Sequence, residues 1–384
     1  MKRLTALLTL GRLPKALDIA QSLNLAGWRV IIAEPFSRHL AGSSRHVEKQ
    51  FTVTAPNTDQ EKYLDELLAI IRQEEVSLIV PVSEEALHVS FIASRIPENV
   101  RLYSPDHETL LKMHNKWEFF KIARQNGLAV PETELLGTDK ATQLAKSVDY
   151  VIKPTSTCSG QGLQLCNQGD LLPDIRELPQ TIVQQKMPGA LKSTLSIAHQ
   201  GRVIGTVVYR AAILSGTVAV AFEKLDNEIR ITQWINCFVE AQDYSGFIAF
   251  DFMEDETGNP HAIECNPRAT SGIHFINRQD IAGAIIAPEN HFQLGLRPHP
   301  FMQQFWPCLT ETQVAFFKRD QFLQKLKIMF KAKEVNFAWN DPLPVWLMPY
   351  TSWEIMKRSF FKGESFGEAS TFDVGWYHDA SETV

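Results

Sequence analysis

The sequence predicts a mixed architecture, a parallel α/β unit at the N-terminus followed by an α+β unit built on an antiparallel sheet. Three observations carry this. Strand and helix signals alternate through the N-terminal quarter, a rhythm that gives a parallel sheet covered by helices. From Tyr150 to about Ile286 short β-rich runs succeed one another instead. Within them, Asp251 to Asn266 reads as two apolar runs joined by a turn-rich stretch, a hairpin signal.

The elements follow in order. Leu4–Leu10 is an apolar strand, too short and too soon interrupted by Gly11-Arg12 to be a signal peptide. Lys15–Ala26 has the apolar spacing of an amphipathic helix, and Gly27 ends it. Arg29–Ala33 and Leu78–Val82 are strands, with helices at Tyr63–Gln73 and Glu84–Ser94. Lys112–Asn126 reads as one helix stopped by Gly127, with Val130-Pro131 beyond. Strands then follow at Tyr150–Lys153, Thr181–Gln185, Thr194–His199, Val203–Tyr209, Phe247–Met253 and Pro260–Asn266. Past Pro298 the texture changes again. Five of the eight tryptophans lie there, which points to an aromatic-rich appendix packed on the body or to a substrate-selecting or dimer-forming element. A helix is expected over Gln321–Lys331, and Asp341-Pro342-Leu343-Pro344 breaks the chain after it.

Composition bounds the function. The 384 residues carry a net charge of −6, so no basic excess points to nucleic acid. No segment has the roughly 18–20 apolar residues of a membrane span. The five cysteines are scattered without a C-x-x-C pair, which suggests neither a disulfide framework nor a zinc site and makes the cytosol the expected location.

The chemistry concentrates in the hairpin. A turn centred between Thr257 and Gly258 sets Asp251 opposite Glu264, with Cβ atoms about 4.5–5.5 Å apart. Asn266, two residues on, shares their face. Carboxylates this close repel unless a cation lies between them, and an all-oxygen set selects Mg²⁺ or Mn²⁺. Arg268 stands at the edge of the cluster with a fork suited to phosphate or carboxylate. The competing reading is a solvated strand edge with Arg268 paired to one acid. A second segment, Tyr150-Val-Ile-Lys153-Pro154, ends a strand in a lysine and opens a loop with Ser156, Cys158, Ser159, Gly160 and Gly162. Such loops bring backbone N–H groups to phosphate oxygens. The lysine precedes the glycines, so this is not the G-x-x-x-x-G-K-[ST] pattern. Cys158 has no adjacent group to activate it. A third segment, Thr181 to Gly189, runs a strand into a Pro-Gly turn, and Gln185, Lys186 and Met187 could face an adenine edge there. Arg210 is a weaker candidate for clamping a carboxylate, with a surface ion pair as its alternative. Arg278 and His274 are further candidates toward an acceptor, His274 reading more simply as a helix-surface residue.

In order and spacing these segments resemble the ATP-grasp superfamily, most of all the branch of carbamoyl-phosphate synthase large subunits and biotin carboxylases. The likeness runs from Leu4 to Ile286. It rests on Leu8-Thr-Leu-Gly11-Arg12, Pro81-Val-Ser-Glu84-Glu85, Lys116 within Leu111–Phe120, Lys153-Pro154, the Ser156–Gly162 loop, Gln185–Met187, and Ile263-Glu-Cys-Asn-Pro-Arg268 with Ser271-Gly272. The resemblance implies a Rossmann-like domain over 1–110, an ATP-grasp domain over 111–295 with a lid at about 120–190, and an appendix over 296–384. It implies Lys116 and Lys153 on ATP phosphates, a mobile loop at Ser156–Gly162, an adenine hinge at Gln185–Met187, metal ligation by Asp251, Glu264 and Asn266, and Arg268 beside the transferred phosphoryl. Where the family often has a hinge Glu and a ribose Glu, this chain has Gln184, Gln185 and Leu191. The activity implied is ATP-dependent joining of a small carboxylate to an amine through an acyl phosphate. Bicarbonate-activating carboxylase or carbamoyl-phosphate chemistry and a non-catalytic ATP-binding module are the alternatives. A homodimer is the commonest assembly to expect. A nicotinamide dehydrogenase, with Glu34 on a ribose diol, is disfavoured because the first turn lacks G-x-G-x-x-G.

Overall fold

The computed structural model describes residues 3–157, 162–216, 218–290, 294–318 and 321–376. The first sheet is parallel and five-stranded, from β1 (Thr5–Leu8), β2 (Arg29–Glu34), β3 (Lys49–Thr52), β4 (Val76–Val80) and β5 (Arg101–Leu102) in the order β3-β2-β1-β4-β5. Its central strands are apolar throughout because both faces are covered. Side chains alternate across a strand. Leu7, Ile31 and Ile79 therefore pack with Tyr63, Leu67 and Ile71 of helix Gln60–Gln73. Ala6, Leu8, Ile32 and Val80 turn the other way, onto Leu17 and Ala20 of helix Pro14–Leu25.

A second, antiparallel sheet has four strands, β6 (Thr133–Leu135), β7 (Tyr150–Pro154), β8 (Gln164–Cys166) and β9 (Thr181–Gln185), ordered β6-β9-β7-β8. The third sheet has seven: β10 (Lys192–His199), β11 (Arg202–Ser215), β12 (Val218–Leu225), β13 (Gly246–Glu254), β14 (Pro260–Asn266), β15 (Phe301–Gln303) and β16 (Lys333–Glu334). Its order is β14-β13-β10-β11-β12-β15-β16, antiparallel but for the last pair. Helix Ile229–Ala241 lays Trp234 and Phe238 on Phe250, rings stacked or edge-on about one another.

Two expectations are corrected. The helix expected over Lys112–Asn126 is two helices, His107–His114 and Lys116–Gln125. They part at Asn115, whose extended backbone lets its side chain accept the N–H of Glu118 and cap the second helix. The break puts Lys116 at that helix's first position. The helix expected over Glu84–Ser94 is shorter, Ala86–Ser90, because Glu85 folds its carboxylate back onto the loop before it.

Beyond Pro298 the chain does not stand apart, since β15 pairs with β12 and β16 with β15. Helices Phe305–Lys318, Phe322–Lys331, Leu343–Thr351, Trp353–Lys362 and Phe366–Thr371 then return to the first sheet. There the Arg12 guanidinium, inaccessible to water, lies between Glu34 and Asp373, at 2.8 Å from Glu34 Oε1 and 2.6 Å from Asp373 Oδ1. Glu34 also accepts the N–H groups of Gly11, Arg12 and Phe36. Its carboxylate is thus consumed by the fold, which removes the ribose role considered above. A second buried knot ties the units together. Asp18, on helix Pro14–Leu25, meets His274 Nδ1 at 2.5 Å, Arg297 Nη2 at 2.8 Å and Arg278 Nε at 3.4 Å. Burial opposes its ionisation, but Arg297, His274 and Arg278 together hold the carboxyl well below the usual range.

Candidate active site

The site grows from the β13–β14 hairpin. Asp255 closes the turn, its Oδ1 accepting the N–H groups of Thr257 and Asn259, and Gly258 takes φ +75°. From the turn the register runs Glu254↔Pro260, Met253↔His261, Phe252↔Ala262, then Asp251↔Glu264 and Ala249↔Asn266. The turn is therefore centred on Thr257 itself, half a residue from the position expected. A β-bulge at Ile263 supplies the missing residue and restores the opposition of Asp251 and Glu264. The bulge also re-aims a carbonyl, because Ile263 O accepts Lys153 Nζ at 2.9 Å.

Two buried lysines converge here. Lys153 ends β7. Burial and the Lys116 charge bring its ammonium down to about 8 against the pull of Glu264. Lys116 is held by its backbone N–H on Thr155 O at 2.8 Å; its Nζ reaches Thr157 O at 3.0 Å and Glu264 Oε1 at 3.3 Å. The two acids respond oppositely. Burial and Glu264 push Asp251 up to about 6, although Ser193 Oγ donates to it at 2.6 Å. Glu264 is kept below its ordinary value by Lys116 and Lys153 despite burial.

Arg268 closes the group. Its Nη2 donates to Asn266 Oδ1 at 3.0 Å and also pairs with Glu84, at the end of the first sheet. Glu85 sets that loop, its carboxylate accepting Val82 N–H at 2.6 Å, Ser83 N–H at 2.9 Å and Thr9 Oγ at 3.0 Å. The structure thus brings Lys116, Lys153, Asp251, Glu264, Asn266 and Arg268 together from one helix and two sheets.

The donor set fits a hard divalent cation. It offers two opposed carboxylates and an amide oxygen, and burial together with the facing Glu264 raises Asp251. Among the described residues no group of three or more His, Cys, Asp or Glu forms a metal cluster. Mg²⁺ suits this smaller set, because it keeps waters and substrate phosphates as its remaining ligands.

The other expected residues fall as follows. Ser156 is buried beside the lysines, and Gly162 has φ +72°, with Pro154 2.9 Å from where a Cβ would be. Ser159, Gly160 and Cys158 lie outside the described residues. Gln185 and Lys186 lie at the β9 end, their N–H groups on Glu132 O and Asp149 O, and Met187 is buried. Arg210 is not brought to the cluster. Strand alternation turns Tyr209 inward and Arg210 outward, where its Nε meets Glu223 at 2.7 Å in a surface pair. His274 is not a surface residue but 1% exposed and bonded to Asp18, and Arg278 serves the same carboxylate. Sequence reasoning missed Ser193, which pairs with Asp251 across β10 and β13, and Lys15, whose Nζ donates to Ser83 Oγ and Ala269 O. Ser193 sits one residue before the expected strand start at Thr194, and the observed strand begins at Lys192, so no local signal marked it.

Residues 113–272 match the model of an ATP-grasp domain. Among solved structures, an L-amino acid ligase from Bacillus licheniformis superposes with a TM-score of 0.62 at 18% identity, over 78% of this chain and 79% of that one. An ADP complex of N5-carboxyaminoimidazole ribonucleotide synthetase gives 0.63 at 14%, over 83% and 87%. A biotin carboxylase from Campylobacter jejuni gives 0.61 at 16%, over 76% and 73%. No curated protein matches the sequence. Among the described residues no helix is long and apolar enough to cross a membrane. Residues 113–272 therefore carry an ATP-grasp domain, and the fold around it is shared with these structures.

Proposed function

We propose that the chain is an ATP- and Mg²⁺-dependent ligase of the cytosol, which activates a carboxylate as an acyl phosphate and passes the acyl group to an amine. The observation that carries this reading is the joint placement of Lys116 and Lys153, the Asp251–Glu264–Asn266 face and Arg268. The amino acid ligase and the ribonucleotide synthetase similar to this chain support it. Residues 1–110 and 111–295 then enclose the reaction, 120–190 act as the lid, and the described residues of the 296–384 appendix wall the side of the carboxylate substrate.

Phosphoryl transfer is chiefly positioning and charge neutralisation. Lys116 and Lys153 hold ATP phosphates, and Gln185–Met187 face the adenine. Asp251, Glu264 and Asn266 would hold Mg²⁺, which would supply charge neutralisation for the transferring phosphoryl. Arg268 offsets charge on the γ-phosphoryl as a carboxylate oxygen forms its bond to phosphorus and the bond to ADP breaks. An amine nitrogen then attacks the acyl carbon, inorganic phosphate leaves, and the nitrogen gives up its proton. The Ser156–Gly162 loop excludes water from the acyl phosphate. A purely ATP-binding role is disfavoured, because two half-buried carboxylates set opposite each other form a face that suits a divalent cation.

The test is ADP release from Mg-ATP against carboxylates, bicarbonate and amines, singly and in pairs. ADP release that needs one carboxylate and rises with one amine is expected. Release with bicarbonate alone would replace this reading with carboxylase-type chemistry. A companion prediction concerns Ser193. Ser193→Ala removes the hydrogen bond that orients Asp251, and should weaken Mg²⁺ activation roughly tenfold while leaving the ATP affinity of the metal-free protein unchanged. An unchanged Mg²⁺ requirement would show that Ser193 does not orient a metal ligand.

A further inference from the structure

Two cavities adjoin, and the inner one reaches Arg268. One, of about 200 Å³, is polar on its inner side, lined by Lys15, Ser83, Glu84, Arg268 and Thr270. The other, of about 340 Å³, lies farther out between the first sheet and the C-terminal helices. Leu13, Pro14, Val220, Gln304 and Phe366 line both, so one space continues into the other. The outer cavity has the size of a small-molecule site, about 300–1,000 Å³.

Its walls are apolar. Leu13, Trp306, Met348, Ile355, Met356 and Phe366 face it. Three polar residues of the lining are already engaged: Arg12 with Glu34 and Asp373, Ser215 Oγ with Glu311, and Thr310 Oγ with the Trp306 carbonyl. The Trp306 indole is fixed by donating to Val345 O at 2.7 Å. A charged group placed here would lose its hydration without a partner. An apolar group would gain by leaving water. The inner cavity is the reverse. Two cations, Lys15 and Arg268, face it against the single carboxylate of Glu84, which favours an anion over an ammonium.

We infer that the activated substrate is an amphiphilic carboxylic acid, its carboxylate beside Arg268 and a chain of several carbons or an aromatic group in the pocket of Trp306, Met348, Met356 and Phe366. The C-terminal segment is then the part of the molecule that selects the acid. This rests on the ligase reading for what becomes of the carboxylate, but the pocket itself is tested by binding.

Straight-chain acids from acetate to octanoate should be titrated calorimetrically into the protein with Mg-ADP present. Affinity should rise about fourfold for each methylene buried, until the outer cavity is filled. Thr310→Trp, which fills the mouth of the pocket, should abolish the gain for the longer acids while acetate and Mg-ADP bind as before. Phe366→Ala, which widens the passage, should extend the gain to longer chains. Affinity independent of chain length in the unaltered protein would overturn the inference, as would a length dependence that Thr310→Trp leaves intact. Length-dependent binding without ADP release for any amine would sink the ligase reading and leave the pocket. ADP release supported by acetate-sized acids with flat affinities would do the opposite.

Discussion

Asp251→Asn should lower turnover about a thousandfold, the scale of losing a main electrostatic contact to the transferring phosphoryl. It should also leave the nucleotide-free protein more stable, by about 1 kcal/mol. The two effects have one cause. Asp251 faces Glu264 across the hairpin, and burial with that neighbour already pushes its carboxyl up to about 6. Neutralising it relieves repulsion in the resting protein and removes a ligand from the working one. Glu264→Gln should match the loss of turnover without the gain in stability, because Glu264 is also the partner of Lys116 at 3.3 Å. Thermal melting without nucleotide, set beside Mg²⁺-dependent ADP release, reads both. Wild-type turnover in either variant would refute the metal assignment. A large stability loss in Asp251→Asn would show that the carboxylate is there for folding instead.

Asp18→Asn should cost about 3 kcal/mol, near the lower end for breaking a buried ionic group from one side. The carboxylate is wholly buried, and its removal leaves Arg297, Arg278 and His274 facing a neutral amide. The effect has a pH signature. The folded-state pKa of Asp18 is depressed, so its contribution is fully present above the unfolded value of about 3.9 and is lost as pH falls through the folded value. The wild-type protein should therefore lose stability steeply as pH drops below about 4, and the variant less steeply. Denaturant midpoints across that range test it. Parallel curves would mean that the knot is held by packing and not by charge.

How much of this was legible in the sequence depended on whether the partner lay nearby in the chain. The parallel sheet announced itself because β1, β2 and β4 are buried on both faces and read as unbroken apolar runs. Strand β3, Lys-Gln-Phe-Thr, is an edge and largely exposed, so it carries no such run. The opposition of Asp251 and Glu264 could be found because a turn of limited length leaves few registers. The bulge could not, because nothing in the apolar pattern of β14 marks Ile263 as the extra residue. The ion pair of Arg268 with Glu84 and the seat of Asp18 among residues of the last third join distant parts of the chain, and no local pattern encodes them. Arg210 misled for a related reason. A period-two strand offers both faces, and only the sheet's packing decides which one is inside.

The bulge at Ile263 makes the tip of the hairpin and its base independent of each other. Residues 255–259 can change in length or carry an inserted label, provided that Ile263 remains the one unpaired residue before Glu264. Deleting a residue at 263 should be worse than deleting one at 257, since it withdraws the carbonyl that holds Lys153, even though a regular ladder would still set Glu264 opposite Asp251. A fluorophore placed at Thr257 would then report on the hairpin from a distance without touching the chemistry.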